Sequence, residues 1–483
     1  MDTPISDLAP TLQRLREAWQ ANKPDYTQRH ADLQRLRDVL KRKLDAMATT
    51  IAADFGHRPR AESVVADGMT VLNDIDHLIR HLRRWMKPTR VGVGWRFLPA
   101  RAQVRPVPVG VVGVIAPWNY PVNLSLIPLA TAIAAGNHVY LKPSEHTPKT
   151  SQFLRELLAE VFPPDRVVVA TGGADIGAAF AGLPFDHLVF TGSTAVGRKV
   201  MAAAAPNLTP LTLELGGKSP ALIADDYPIE RAAARIATGK WFNGGQTCIA
   251  PDYVLVEQPV HDQFVAALGK HITAFYGSDP QQSADFTRIV NAPHFHRLEK
   301  LLDSGTVAFG GVTDADTRYI SPTVLTDVKA DDPVMGEEIF GPILPVLTVG
   351  SVDEAIGFVN ERSADGDKPL ALYTFSESDQ ENDRVIGGAS SGGVCVNGTL
   401  LHISNPNLPF GGVGESGMGA YHGKFGFDAF SHHRGVHTRS TKMDPSMLYP
   451  PYTAKKQKLV RKGMTMPDPR DLMARLRGAL RRG

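Results

Sequence analysis

Only two cysteines, Cys248 and Cys395, occur in 483 residues, and they stand far apart. So sparse a pair offers no disulfide framework and no thiolate spacing for a metal, so no metal is expected and a reducing compartment suits the chain. Excess charge is also lacking: 52 Lys and Arg against 50 Asp and Glu leave a formal +2. Such a balance makes no broad field for a polyanion, and nucleic acid is not expected as a partner. Long apolar runs are missing too. The longest, 107–117 and 126–136, are cut by Gly or Pro and fall short of the roughly 20 residues a spanning helix needs. The first ten residues carry no basic start leading into an apolar run, so no secretory signal is expected. A cytoplasmic location is the resulting expectation.

What is present points to an ordinary globular protein, 43% hydrophobic and 21% charged, and long enough for two or more domains. Leu8, Leu12, Leu15 and Trp19 recur at steps of three and four residues. So do Leu33, Leu36, Leu40, Leu44, Met47 and Ile51, and then Leu72, Ile75, Leu78 and Leu82. Each set occupies one face of a helix. The Arg and Lys residues opposite read as solvated surface, and Pro88 ends the third helix. Residues 103–109 alternate and carry two prolines, which suits an edge strand or a bridging hairpin. Beyond them, β-rich runs at 111–115, 139–141, 167–170 and 188–191 alternate with helical segments near 122–135, 149–161, 174–182 and 195–204. A second alternating region, about 219–397, has helices near 228–241, 260–275, 352–360 and 378–387. The fold class is α/β with two parallel-sheet domains, and no internal repeat stands out.

Several stretches carry chemistry. NGGQTC (243–248) sets Cys248 behind two glycines, which let the backbone bend and present the sulfur with little crowding. A thiol so placed is a candidate nucleophile, or else a small buried hydrophobe. LELGGKSP (213–220) isolates Glu214 in an apolar, glycine-rich segment, the setting in which a general base is tuned upward. In APWNYP (116–121), Asn119 follows a strand end, where its amide can donate to an oxyanion or simply form a turn. FTGS (190–193), with Gly197, leads from strand to helix and leaves backbone N–H groups for a phosphate; the same glycines also serve close packing. KPSE (142–145) lies at the carboxyl end of a strand, where Lys142 and Glu145 can hold a ribose or form a surface pair. EEIFGP (337–342) and PFGG (409–412) mean little alone.

Taken in order, PWNYP, KPSE, FTGS, LELGGKSP, GGQTC, EEIFGP and PFGG make the chain resemble the NAD(P)-dependent aldehyde dehydrogenase superfamily from roughly residue 60 to residue 435. VCVNGTLLH (394–402) and residues 411–435 resemble its class-three and coniferyl aldehyde dehydrogenase branch. The resemblance implies Cys248 as nucleophile, and the Asn119 side chain with the Cys248 N–H as oxyanion donors. Glu214 becomes the base for water and a candidate acceptor of the thiol proton. The implied cofactor is NAD, and the branch also accepts NADP. Lys142 and Glu145 would hold the adenosine ribose, with Gly192 and Ser193 near the pyrophosphate and Trp118 along the dinucleotide. Glu338 and Phe340 would hold the nicotinamide ribose and ring. Acyl-transferring branches lack the acid at Glu214, so its presence implies hydrolysis to the free acid. The implied substrate is a small-molecule aldehyde, aromatic (coniferyl-type) or medium- to long-chain, with Tyr120, Phe242 and His402 as candidates for the mouth. The implied fold places an NAD(P)-binding domain at 1–95 and 110–216 and a catalytic domain at 217–412. A bridging element at 96–109 and 430–442 would pair two copies into a homodimer.

A C-terminal tail runs over 443–483, and in it Leu472, Met473, Leu476 and Leu480 repeat at helical spacing. Arg470, Arg475, Arg477, Arg481 and Arg482 surround them. Such an end makes weak peripheral contact with an anionic membrane or packs on its own protein. Two rivals stand beside the dehydrogenase. A thiol-dependent ester or amide hydrolase leaves the dinucleotide motifs without a task. A catalytically silent scaffold of the same fold has no reason to keep Cys248, Glu214 and Asn119 together.

Overall fold

Two sheets carry most of the chain in the computed structural model, which describes residues 2–364, 366, 368–442 and 446–466. The first has six strands, in the spatial order Gly417–Met418, Leu211–Glu214, His187–Thr191, Val111–Ile115, His138–Lys142 and Val167–Val169. All neighbours but the first pair run parallel. Val111–Ile115, His138–Lys142 and His187–Thr191 are buried at every residue. That is why they read as continuous apolar runs rather than alternating ones. From the central Val111–Ile115 the chain builds outward one way, then returns and builds the other way. A crevice forms at the carboxyl ends where the order reverses, and there open α/β sheets bind ligands. Trp118 and Asn119 follow one of the two strands at this point, and Gly192 and Ser193 follow the other.

The second sheet has seven strands, ordered Thr306–Phe309, Thr323–Thr326, Ile343–Val349, Tyr253–Glu257, Pro220–Ile223, Ala371–Phe375 and Gly393–Val396. Only Thr306–Phe309 is antiparallel to its neighbour. Trp241, Phe264, Tyr373 and Phe375 fill the core on one side; Leu255, Phe295, Leu298 and Leu372 belong to the other. The helices Ile229–Trp241, His261–Tyr276, Val352–Ser363 and Asp379–Gly388 match the expected segments to within a few residues.

At the amino end the leucine stripe through 33–51 belongs to two helices, Tyr26–Arg42 and Leu44–Phe55, broken at Lys43. The apolar spacing runs across this break, so periodicity does not reveal it. A second difference concerns the polar faces. Arg29, Asp32, Asp67, Asp74 and His77 are buried rather than solvated. Arg29 donates to the carbonyls of Ala134 at 3.2 Å and Ala135 at 2.9 Å. It thereby satisfies the otherwise orphaned end of the helix Asn123–Ala135.

Both sheets and the helices before Trp85 belong to one compact unit, Met1–Trp85 with Pro108–Ser431. Met86–Val107 and the described chain from His432 form another. Within it, Thr89–Val91, Arg101–Pro108 and Ser431–Thr438 make a three-stranded sheet, with Thr89 opposite Val104. The helix Ala454–Thr465 begins at Thr453, whose hydroxyl accepts the Lys456 N–H at 3.4 Å. The Leu–Arg stripe at 470–482 lies outside the described residues. No helix among the described residues is long and apolar enough to cross a membrane.

Candidate active site

Cys248 owes its position to a turn that only glycine-rich sequence makes readily. The helix Ile229–Trp241 ends, and Asn243, Gly244 and Gly245 follow with φ of 54°, 60° and 75°. Three successive left-handed residues are costly for side chains with a Cβ. At Gly245 a Cβ would also strike the Gly341 carbonyl. Gln246 stitches the turn down: its amide donates to Asn243 O at 2.9 Å and Arg288 O at 3.1 Å, and its carbonyl accepts Val290 N–H at 3.0 Å. The Asn243 side chain donates to Asn119 O at 3.0 Å, tying this turn to the neighbouring loop. Cys248 itself is half-buried. Burial, then the Glu338 and Glu214 carboxylates, push its thiol up, against the pull of the Cys248 and Ile249 N–H groups. Such a thiol needs a base before it can attack.

Glu214 ends the strand Leu211–Glu214 and is 2% exposed, and neither of its oxygens has a hydrogen-bond partner among the described residues. Burial therefore raises its carboxyl well above the usual range. Its backbone is fixed on both sides: its carbonyl accepts Gly192 N–H at 3.0 Å, and Gly417 pairs with it antiparallel. Glu214, Cys248 and Asn119 all line one cleft of about 470 Å³, together with Trp118, Gly192, Ser193, Glu338 and Phe340. Eight of the ten catalytic and cofactor-binding candidates picked from sequence thus share a single cavity.

Lys142 and Glu145 are the two outside its lining. They lie at the carboxyl end of a neighbouring strand and pair with each other at 2.7 Å. Burial pushes the Glu145 carboxyl up most strongly, but the Lys142 hydrogen bond, a backbone N–H and the nearby Lys142 and His146 charges together leave the group below its ordinary value. Tyr120 and Phe242 stack at 6.5 Å, and Tyr120 meets the Thr247 hydroxyl at 2.5 Å. The His402 ring nitrogens are buried and find no partner among the described residues.

The cleft suits a dinucleotide on several counts. The helix Thr194–Ala204 opens beside it with no side-chain cap at Ser193, leaving backbone N–H groups for a phosphate. Gly197 in its first turn packs on Leu215, where a Cβ would come within 2.7 Å of a methyl. Glu338 is half-buried, its enclosed Oε1 has no partner among the described residues, and its carboxyl takes a backbone hydrogen bond from Gly217. A Cβ at Gly216 would collide with that carboxylate. Phe340, at φ 51°, stands edge-on to Trp118 at 5.3 Å, and so rare a conformation for an aromatic residue suggests a functional constraint.

Sequence reasoning missed the residues that hold the 337–342 loop. Lys218 pairs with buried Asp252 and donates to Val334 O and Glu337 O, each at 2.9 Å. Arg297 pairs with Glu337 at 3.2 Å and donates to the carbonyls of Glu338 and Ile339. His294 stacks tilted on Trp118 at 5.0 Å. Lys218 was visible inside LELGGKSP. His294 and Arg297 lie on a short helix with no sequence mark.

Comparison with known proteins identifies the family. The model of the aldehyde dehydrogenase family matches residues 11–436. A probable coniferyl aldehyde dehydrogenase of Pseudomonas aeruginosa is 46% identical over 465 residues, covering 95% of this chain and 96% of its own. Aldehyde dehydrogenase family 3 member B1 of Rattus norvegicus is 46% identical over 447 residues, covering 92% and 94%. Among solved structures, the substrate-bound state of Staphylococcus aureus AldH superposes with a TM-score of 0.91 at 40% identity, covering 96% of this chain and all of that one. With a family match over most of its length and relatives this close from end to end, the chain belongs to the aldehyde dehydrogenase family.

Proposed function

We propose that the chain oxidises an aldehyde to the carboxylic acid with NAD, using Cys248 as nucleophile, Asn119 as oxyanion donor and Glu214 as general base. The observation that carries this is the convergence of thiol, unpartnered buried carboxylate and asparagine on one cleft. Glu214 or a water bonded to it takes the thiol proton, and the sulfur attacks the aldehyde carbon. The oxygen of the resulting thiohemiacetal is held by the Asn119 amide and the Cys248 N–H, each such donor typically worth about 3–4 kcal/mol in the transition state. Bound NAD supplies the acceptor for the hydride that leaves this carbon. A thioester on Cys248 remains. Once the thiol proton has passed to solvent, Glu214, poorly solvated and therefore strongly basic, draws a proton from water, which attacks the thioester; the acid leaves and the proton held by Glu214 returns to the sulfur.

Ser193 and the free N–H groups of the helix Thr194–Ala204 would hold the pyrophosphate, and Lys142 with Glu145 the adenosine ribose. Trp118, Glu338 and Phe340 would frame the nicotinamide end. The residue-214 acid supports hydrolysis rather than acyl transfer, and Glu145 supports NAD over NADP. The six-stranded sheet then serves as the core of the cofactor domain and the seven-stranded sheet as that of the catalytic domain. The three-stranded sheet supplies the pairing surface of a homodimer, and the basic tail gives weak contact with anionic membranes. The close coniferyl aldehyde dehydrogenase relative and the Tyr120–Phe242 stack favour an aromatic or long-chain substrate. The test is reduced-cofactor formation from NAD over a panel of coniferyl aldehyde, benzaldehyde and long-chain alkanals. Absence of turnover with all of them overturns the proposal.

A further inference from the structure

Asn119 and Cys248 come from loops more than a hundred residues apart, and the groups that join them lie earlier still. The short helix Arg60–Ser63 runs into the π-helical turn Val64–Met69, a rare geometry often found at functional sites. That turn places Asp67 beneath the loop after Trp118. Asp67 Oδ1 accepts the N–H groups of Val122 and Asn123, each at 3.1 Å, while Oδ2 pairs with Arg58 at 3.0 Å. Both side chains of the pair are fully buried. Arg58 Nη1 then donates to the Asn119 carbonyl at 3.0 Å.

That carbonyl is a junction, because the Asn243 side chain donates to the same oxygen at 3.0 Å. The Asn243 N–H in turn donates to Glu62 Oε2 at 3.2 Å, and the Thr287 hydroxyl donates to that oxygen at 2.8 Å. Arg58 also lies over the Tyr120 ring at 5.0 Å, whose hydroxyl meets Thr247 beside the thiol. Buried ion pairs contribute little net stability compared with well-packed apolar residues. What they do fix is direction: a guanidinium fork sets the tilt of a peptide plane as no methyl group can.

We infer that Arg58, Glu62 and Asp67 are positioning residues that lock the Asn119 peptide to the 243–248 turn, so that the Asn119 amide and the Cys248 N–H converge on one oxygen. The inference rests on the roles proposed above for Asn119 and Cys248.

Three variants test it. Glu62→Ala removes the acceptor of the Asn243 N–H, Glu62→Gln keeps an acceptor of the same shape, and Arg58→Lys keeps the charge but loses the fork. The readouts are the first-turnover burst of reduced cofactor with benzaldehyde, NAD affinity from quenching of protein fluorescence, and the melting temperature. A misplacement short of deleting a donor slows the burst roughly 10- to 100-fold in Glu62→Ala and Arg58→Lys. NAD affinity stays within about twofold of the wild type, a shift of under ~0.5 kcal/mol, and Glu62→Gln bursts at close to the wild-type rate. Wild-type bursts in Glu62→Ala and Arg58→Lys overturn the inference. So does a loss of NAD affinity in step with the burst, or a Glu62→Gln variant as slow as Glu62→Ala. A wild-type chain that makes no reduced cofactor with any aldehyde of the panel overturns the reading of the site itself, and the positioning role with it.

Discussion

Replacing Glu214 with Gln changes one oxygen for an NH₂ in a pocket where neither carboxylate oxygen has a partner among the described residues. Gly411 closes one side, where a Cβ would sit 3.4 Å from Glu214 Oε1, so the amide keeps the shape but not the basicity. Loss of a positioned general base costs about 10²–10⁴ in rate, or about 2.7–5.4 kcal/mol of barrier. The loss falls mainly on thioester hydrolysis; loss of the thiol-proton acceptor slows the burst without lowering its amplitude. Stopped-flow absorbance with NAD and benzaldehyde should show a burst approaching one reduced cofactor per site, then a nearly flat line. Stability gives a second reading of opposite sign. Burial raises the folded carboxyl above its unfolded value near 4.3. The folded state therefore binds the proton more tightly. Its favourable contribution is complete below pH 4.3 and is lost as pH rises through the folded value. Glu214→Gln should melt higher than the wild type at pH 8, with the gap closing toward pH 4. Steady turnover within a few-fold of wild type, or a variant that melts lower at pH 8, would refute the reasoning.

Cys248→Ala should abolish turnover while equilibrium dialysis still detects NAD binding; retained turnover would move the nucleophile elsewhere. Asn119→Ala should lose about 10²–10³ in kcat for aldehyde oxidation, as other oxyanion donors do. Lys218→Met strands the Asp252 carboxylate in a site where both side chains are 4% exposed. Urea titration should show about 3–5 kcal/mol lost. Replacing Glu145 with Gln should lower the NAD-over-NADP preference, measured as a ratio of kcat/KM values; an unchanged ratio would place cofactor choice elsewhere.

The family and the α/β fold were legible because the site is built from short glycine-marked segments at strand ends. Cys248 and Glu214 each stand out there against apolar neighbours. Their shared cleft follows from strand order, which alternation of strands and helices suggests but does not fix. Other features left no trace. The break at Lys43 lies under an unbroken leucine stripe. Gly417–Met418 is too short for any periodicity. Arg58 and Asp67 look like surface charges until the turn at Val64–Met69 folds them inward, because burial of a charge depends on partners distant in sequence. His294 and Arg297 touch the cleft from a helix whose composition is unremarkable.

The antiparallel pairing of Gly417 with Glu214 has a consequence for biosynthesis. Leu215 N–H also bonds Ser416 O at 3.0 Å, so the margin beside Glu214 is sealed by residues translated long after Cys248. On the ribosome, a nascent chain that has already emitted Cys248 still lacks that seam. Its sulfur therefore waits beside an unfinished partner while some 170 further residues, through Gly417, are added. Truncation between residues 249 and 416 should release a chain that keeps the proposed nucleophile Cys248 but lacks the strand that fixes Glu214.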